Sequence, residues 1–142
     1  FIFDRNGNLP QKPKIEFQGD VWKDADRYID QVRYVNSTVE TTVAEILGQS
    51  PREPIIIIQG DHGPAYTDED TASDRYVFER TGILNAFYLP EYCKAAVYKT
   101  ISPVNTFRMV FDSCLGSDLG LLKDDSYRDP GGSPIDFSQI SQ

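Results

Sequence analysis

IIIIQGDHGP, residues 55–64, runs four consecutive isoleucines into a glycine, a carboxylate and the only histidine of the chain. A β-branched run of this length, preceded by Pro54 and closed by Gly60, is too short for a typical helix and reads as a strand. Continuous apolar residues, in place of in–out alternation, mark a strand covered on both faces, the habit of parallel sheets flanked by helices. Open α/β sheets hold their ligands just beyond the carboxyl ends of the strands. Asp61 and His62 occupy that position in the sequence.

Upstream, the stretch from about Asp24 to Leu47 places Ile29, Val32, Val35, Val39, Val43, Ile46 and Leu47 at steps of three and four. That spacing predicts a helix with one apolar stripe, stopped by Gly48 with Pro51 shortly beyond. Residues 1–20 lack periodicity and read as an extended lead-in, a connector with a turn at Asn6-Gly7. Downstream, TDEDTASD (67–74) reads as a polar loop, and Arg75 to Thr81 as a short helix. Ile83 to Leu89 reads as a second strand ended by Pro90. Ser102 and Pro103 have the chemistry of an N-cap and first helical residue, and Val104, Phe107, Met109, Val110, Phe111 and Leu115 supply the apolar face of a helix ending near Gly116. The tail from Asp124 is rich in Asp, Ser, Gly and Pro, with a late strand expected at Ile135 to Phe137. Helices alternating with buried strands predict one α/β domain spanning 1–142.

The formal charge of −8, without a basic stripe, argues against a nucleic-acid partner. No apolar run reaches the roughly 18 residues of a membrane span, so the chain itself is expected to be soluble. It starts at Phe1, the expectation for a piece of a larger parent. Cys93 and Cys114 are read as two buried thiols in preference to a disulfide, and no C-x-x-C spacing supports metal binding by them.

Asp61 and His62 offer one oxygen and one imidazole nitrogen, good ligand types for a divalent cation. Neighbours in a regular strand point to opposite faces, so both reach one ion only where the backbone turns, and Gly60 and Gly63 permit that turn. An Asp that caps a turn beside a hydrogen-bonded His produces the same letters. Asp68, Glu69 and Asp70 lack the Gly and terminal Glu of a calcium loop and read as a solvated loop. No G-x-S-x-G or Cys–His pattern marks a nucleophile. The amide of Asn105 is expected to bond back to the Ser102 cap, with Arg108 pairing to an acidic neighbour. Tyr28, Tyr34, Phe87 and Tyr88 are assigned to packing.

IIIIQGDHGP, preceded by YIDQVRYVNSTVETTVAEIL and followed by ILNAFYLP and SPVNTFR, resembles the C-terminal part of the sulfatase-like branch of the alkaline phosphatase superfamily. Within it, the chain is similar to membrane-anchored proteins related to phosphoglycerol and phosphoethanolamine transferases. The likeness runs from FIFDRNGN to DDSY at 124–127. It implies a partial three-layer sandwich, a mainly parallel sheet with flanking helices, in which Asp61 and His62 ligate a divalent metal: zinc, manganese, magnesium or calcium. It also implies that the remaining ligands and the nucleophile lie upstream, in the rest of the same catalytic domain. The substrate would be a small or lipid-linked phosphate or sulfate ester, and the parent membrane-anchored with its catalytic domain extracytoplasmic. Pro64 departs from the polar residue that many sulfatases carry after Asp-His-Gly, and no C-x-P-x-R signature surrounds either cysteine. The competing expectation is a non-catalytic binding or structural module that keeps the fold without a complete site. Sheet edges left open by missing strands predict self-association.

Overall fold

The apolar stripe read upstream forms a single helix, α1, Ala25–Gln49. The computed structural model describes residues 3–9, 25–63, 73–128 and 138–140. The chain divides into two units, Phe1–Arg52 with Pro64–Glu79, and Glu53–Gly63 with Arg80–Gln142.

In the first unit the lead-in is more than a connector. The Asp4 carboxylate accepts hydrogen bonds from the backbone N–H groups of Asn6 and Asn8, at 2.8 and 2.9 Å, and from Asn8 Nδ2. These bonds, the backbone ones foremost, hold its pKa below the ordinary carboxylate value. They fix the expected turn, and Gly7 takes φ 80° there. A Cβ on Gly7 would come within 2.5 Å of the Tyr34 ring, so glycine is required both by its backbone and by its neighbour. Phe3 stacks at a tilt on Tyr34, ring centroids 5.3 Å apart, and Arg5 pairs with Asp30 at 2.8 Å, which docks the turn on α1. Thr38, Thr41 and Thr42 turn their hydroxyls back onto carbonyls four residues earlier and so satisfy themselves within the helix. Ile29, Val35, Ile46 and Leu47 on the stripe remain exposed.

In the second unit the isoleucine run forms β1, Ile56–Gln59. The short helix α2, Asp74–Thr81, straddles the division between the units and leads to β2, Asn85–Tyr88. The expectation of a parallel neighbour fails: β1 pairs with β2 antiparallel, in the register Ile56↔Tyr88, Ile57↔Phe87, Ile58↔Ala86, Gln59↔Asn85. An apolar run carries no information about strand direction. Ile55, Ile57 and Phe87 pack against the core of Leu89, Cys93, Met109 and Val110, and all four isoleucines are half-buried, so the expected cover on both faces of the strand is incomplete among the described residues.

Over that core lie α3, Glu91–Lys94, and α4, Pro103–Leu115. Cys93 and Cys114 form a disulfide with Cα atoms 5.1 Å apart, which corrects the expectation of two thiols. Their 21-residue separation gave no sign of proximity; packing of α3 on α4 brings them together. Ser102 and Pro103 start α4 at the expected place, but the Ser102 hydroxyl makes no capping bond; Gly116 ends the helix in the left-handed region at φ 74°, with Ser117 N–H reaching back to Phe111 O at 3.1 Å.

The capping role expected of Asn105 is replaced by a deeper one. Its side chain is fully buried: Nδ2 donates to Leu122 O at 2.8 Å, Asp124 Oδ1 at 2.9 Å and Tyr98 Oη at 3.1 Å, while Oδ1 accepts from Leu122 N–H at 2.9 Å. Arg108 finds carbonyls instead of an acidic partner, donating to Gly120 O and Leu119 O. One turn on, Asp112 accepts from the N–H groups of the same two residues at 2.7 and 2.9 Å. The two side chains together clasp the loop after α4. The tail forms a second antiparallel pair, β3, Ser126–Arg128, with β4, Ser138–Ile140. The strand expected at 135–137 and the acidic residues 68–70 lie outside the described residues.

Candidate metal centre

Past Gln59 the ladder extends by one bond, Gly60 N–H to Leu84 O at 2.8 Å, and the chain then bends. Gly63 N–H bonds Arg80 O at 2.8 Å, closing a turn whose apex is Asp61 and His62. The chain turns here without a positive φ at Gly60, so the conformational freedom expected of that glycine is not used, and the turn brings adjacent side chains to one side: Asp61 Oδ2 and His62 Nε2 are 3.5 Å apart. Both are solvent-facing, the Asp61 side chain 88% exposed and His62 51%. Asp61 Oδ1 also accepts the His62 backbone N–H at 3.0 Å, which is the turn-capping bond.

The imidazole is oriented from behind. Its Nδ1 lies 3.0 Å from Gly63 O and 2.6 Å from Arg80 Nη1, and Arg80 Nη1 donates to Gly63 O at 3.0 Å. Nδ1 serves one of these neighbours at a time. As a donor to Gly63 O it leaves the Nε2 lone pair for a metal, in the manner of metal-ligating histidines whose second ring nitrogen bonds a backbone carbonyl. As an acceptor from Arg80 it places the ring proton on Nε2, toward Asp61.

The donor set therefore fits a divalent cation in type, with one carboxylate oxygen and one imidazole nitrogen on the same side of a turn. Two ligands do not complete a coordination sphere, and among the described residues no group of three or more His, Cys, Asp or Glu side chains converges. Arg80 escaped the sequence reading. In an antiparallel pair the residues after β1 lie opposite those before β2, so recognising the hairpin-like return of ILNAFYLP would have placed Arg80 at the turn.

Elsewhere, Glu53, Phe87, Tyr88, Glu91 and Lys94 line a surface cavity of about 430 Å³ on the β2–α3 side, without a histidine or cysteine on its wall. No helix among the described residues is long and apolar enough to cross a membrane. Comparison with family models, curated proteins and solved structures finds no match to the chain.

Proposed function

We propose that the chain is the C-terminal portion of a metal-dependent phosphoesterase, sulfatase or phosphotransferase domain of the sulfatase-like type, with Asp61 and His62 as two of its metal ligands. The observation that carries the reading is the 3.5 Å approach of Asp61 Oδ2 and His62 Nε2 beyond the end of β1, backed by a carbonyl able to take the Nδ1 proton. A bound divalent cation in such a site stabilises charge on the non-bridging oxygens of the ester and lowers the pKa of an attacking hydroxyl. The part of these residues is to hold their donors together and to keep the imidazole turned outward. Nucleophile and remaining ligands come from upstream sequence, so the chain alone is inactive.

Two features support a domain completed from outside these residues. Helix α4 buries Asn105, Thr106, Met109 and Val110 on one side and exposes Val104, Phe107, Phe111 and Leu115 on nearly the opposite one, the pattern of a helix enclosed between layers. Strand β1 has one partner among the described residues and a second edge able to take another strand. On this reading the β1–β2 pair is the margin of a larger, mainly parallel sheet in a three-layer sandwich, and the upstream part of the domain is its partner. Without that part the open edges favour self-association, which light scattering at rising concentration measures. The Cys93–Cys114 disulfide supports an extracytoplasmic location, where such bonds persist, for a membrane-anchored parent acting on small or lipid-linked phosphate or sulfate esters.

Thermal melts with Mn²⁺ or Zn²⁺ test the ligand assignment. At about a hundredfold excess over Kd the wild type gains about 8 °C and His62→Ala gains nothing. Equal melting temperatures with and without metal, at saturating concentrations of either ion, sink it. The Arg80 contact to Nδ1 favours the second reading, a non-catalytic module in which the ring proton stays on Nε2 and the pair only caps a turn. That reading predicts the flat metal response.

A further inference from the structure

We infer that Arg80 is the residue that grips the anionic head of the ester, a phosphate or sulfate group, at the Asp61–His62 turn. The inference rests on the metal-site reading above and adds a substrate-positioning residue to it. Arg80 is half-buried at the end of α2, and its guanidinium reaches the turn through Nη1 alone, to Gly63 O at 3.0 Å and His62 Nδ1 at 2.6 Å. A guanidinium has five N–H donors in a rigid fork. The two on Nη1 are engaged, and those on Nη2 and Nε have no acceptor among the described residues. No carboxylate among the described residues forms an ion pair with Arg80; Asp61, in the same turn, faces the His62 backbone N–H and imidazole instead. An unpaired fork beside two ligand-type side chains matches the planar, bidentate geometry with which arginine holds phosphate and sulfate oxygens.

The shared contact at Nδ1 ties the two roles together. For His62 to present its Nε2 lone pair, Nδ1 must hold the proton and donate it to Gly63 O, so the Arg80 N–H must leave Nδ1. With Nδ1 protonated, the Arg80 Nη1 donor that faces it would be free for an anion held beside Asp61 and His62. In the absence of metal, Arg80 competes for the ring nitrogen. Its removal is expected to help the cation and hurt the anion, opposite signs that a merely structural residue does not produce.

Calorimetric titration of the full-length protein, first with Mn²⁺ and then with inorganic phosphate or sulfate at saturating Mn²⁺, reads both effects. Arg80→Ala is expected to bind Mn²⁺ at least as tightly as the wild type and to bind the anion about 10- to 100-fold more weakly, with Arg80→Lys recovering part of the loss. Unchanged anion affinity in Arg80→Ala overturns the assignment. So does parallel loss of Mn²⁺ and anion binding, which makes Arg80 a prop for the turn. A wild type that binds no Mn²⁺, or binds it undiminished in His62→Ala, removes the metal-site reading itself and this inference with it.

Discussion

The Asp61–His62 turn and the cluster around Asn105 and Asp124 both gather polar side chains where an element ends or begins, and they treat them in opposite ways. At the turn, the carboxylate and imidazole face solvent, with capacity for further bonds. In the cluster, Asn105 is fully buried and both ends of its amide are satisfied by protein. Asp124 accepts from Ser102 N–H at 2.8 Å, Asn105 Nδ2 at 2.9 Å and Tyr98 Oη at 2.5 Å. The amide of Asn105 and the carboxylate of Asp124 are bonded inside the fold, whereas the side chains of the turn face outward. Stability and metal response should therefore separate cleanly between the two regions.

The largest effect is expected from Asn105→Ala. It strands Leu122 N–H and Leu122 O and strips a donor from Asp124, a loss of about 3 kcal/mol or more, seen as a lower denaturant midpoint with an unchanged slope. A small effect here would break the contrast. Next comes the disulfide: the Cys93→Ser, Cys114→Ser double variant is expected to lose about 3 kcal/mol, from a closed loop of this length, by the same measurement.

A subtler separation comes from acid. Burial acts to raise the Asp124 pKa, but the contacts from Ser102, Tyr98 and Asn105 outweigh it and bring it from 3.8 to about 2. A depressed folded-state pKa means that its stabilisation is complete above the unfolded value and is lost as pH falls from about 4 toward 2. Asp124→Asn should remove that share of the acid dependence, which urea midpoints at pH 5, 4 and 3 report. The smallest change in stability is expected at the turn, where Asp61→Ala and His62→Ala shift it by about 0.5 kcal/mol or less while abolishing the metal-induced rise in Tm. A large destabilisation by His62→Ala would recast the imidazole as structural.

What the sequence made legible was local. The stripe of α1, the Ser102-Pro103 start and Gly116 end of α4, the Asn6-Gly7 turn, the two strands and the position of Asp61 and His62 at the mouth of β1 follow from spacings of a few residues. Pairings between distant residues were not legible. Nothing in IIII states that its neighbour runs antiparallel, so Arg80 went unplaced. Two cysteines in 142 residues look like core thiols until α3 and α4 pack. Asn105, three residues past an N-cap, invites a capping role, and only the return of the chain at Leu122 and Asp124 gives its amide better partners.

The disulfide has one more consequence, in the connectivity of the chain. Lys94 and Lys99 are exposed and lie between Cys93 and Cys114. A protease that cuts after either leaves two polypeptides still joined through sulfur, so the nicked protein keeps its apparent size on a non-reducing gel and separates only when reductant is added.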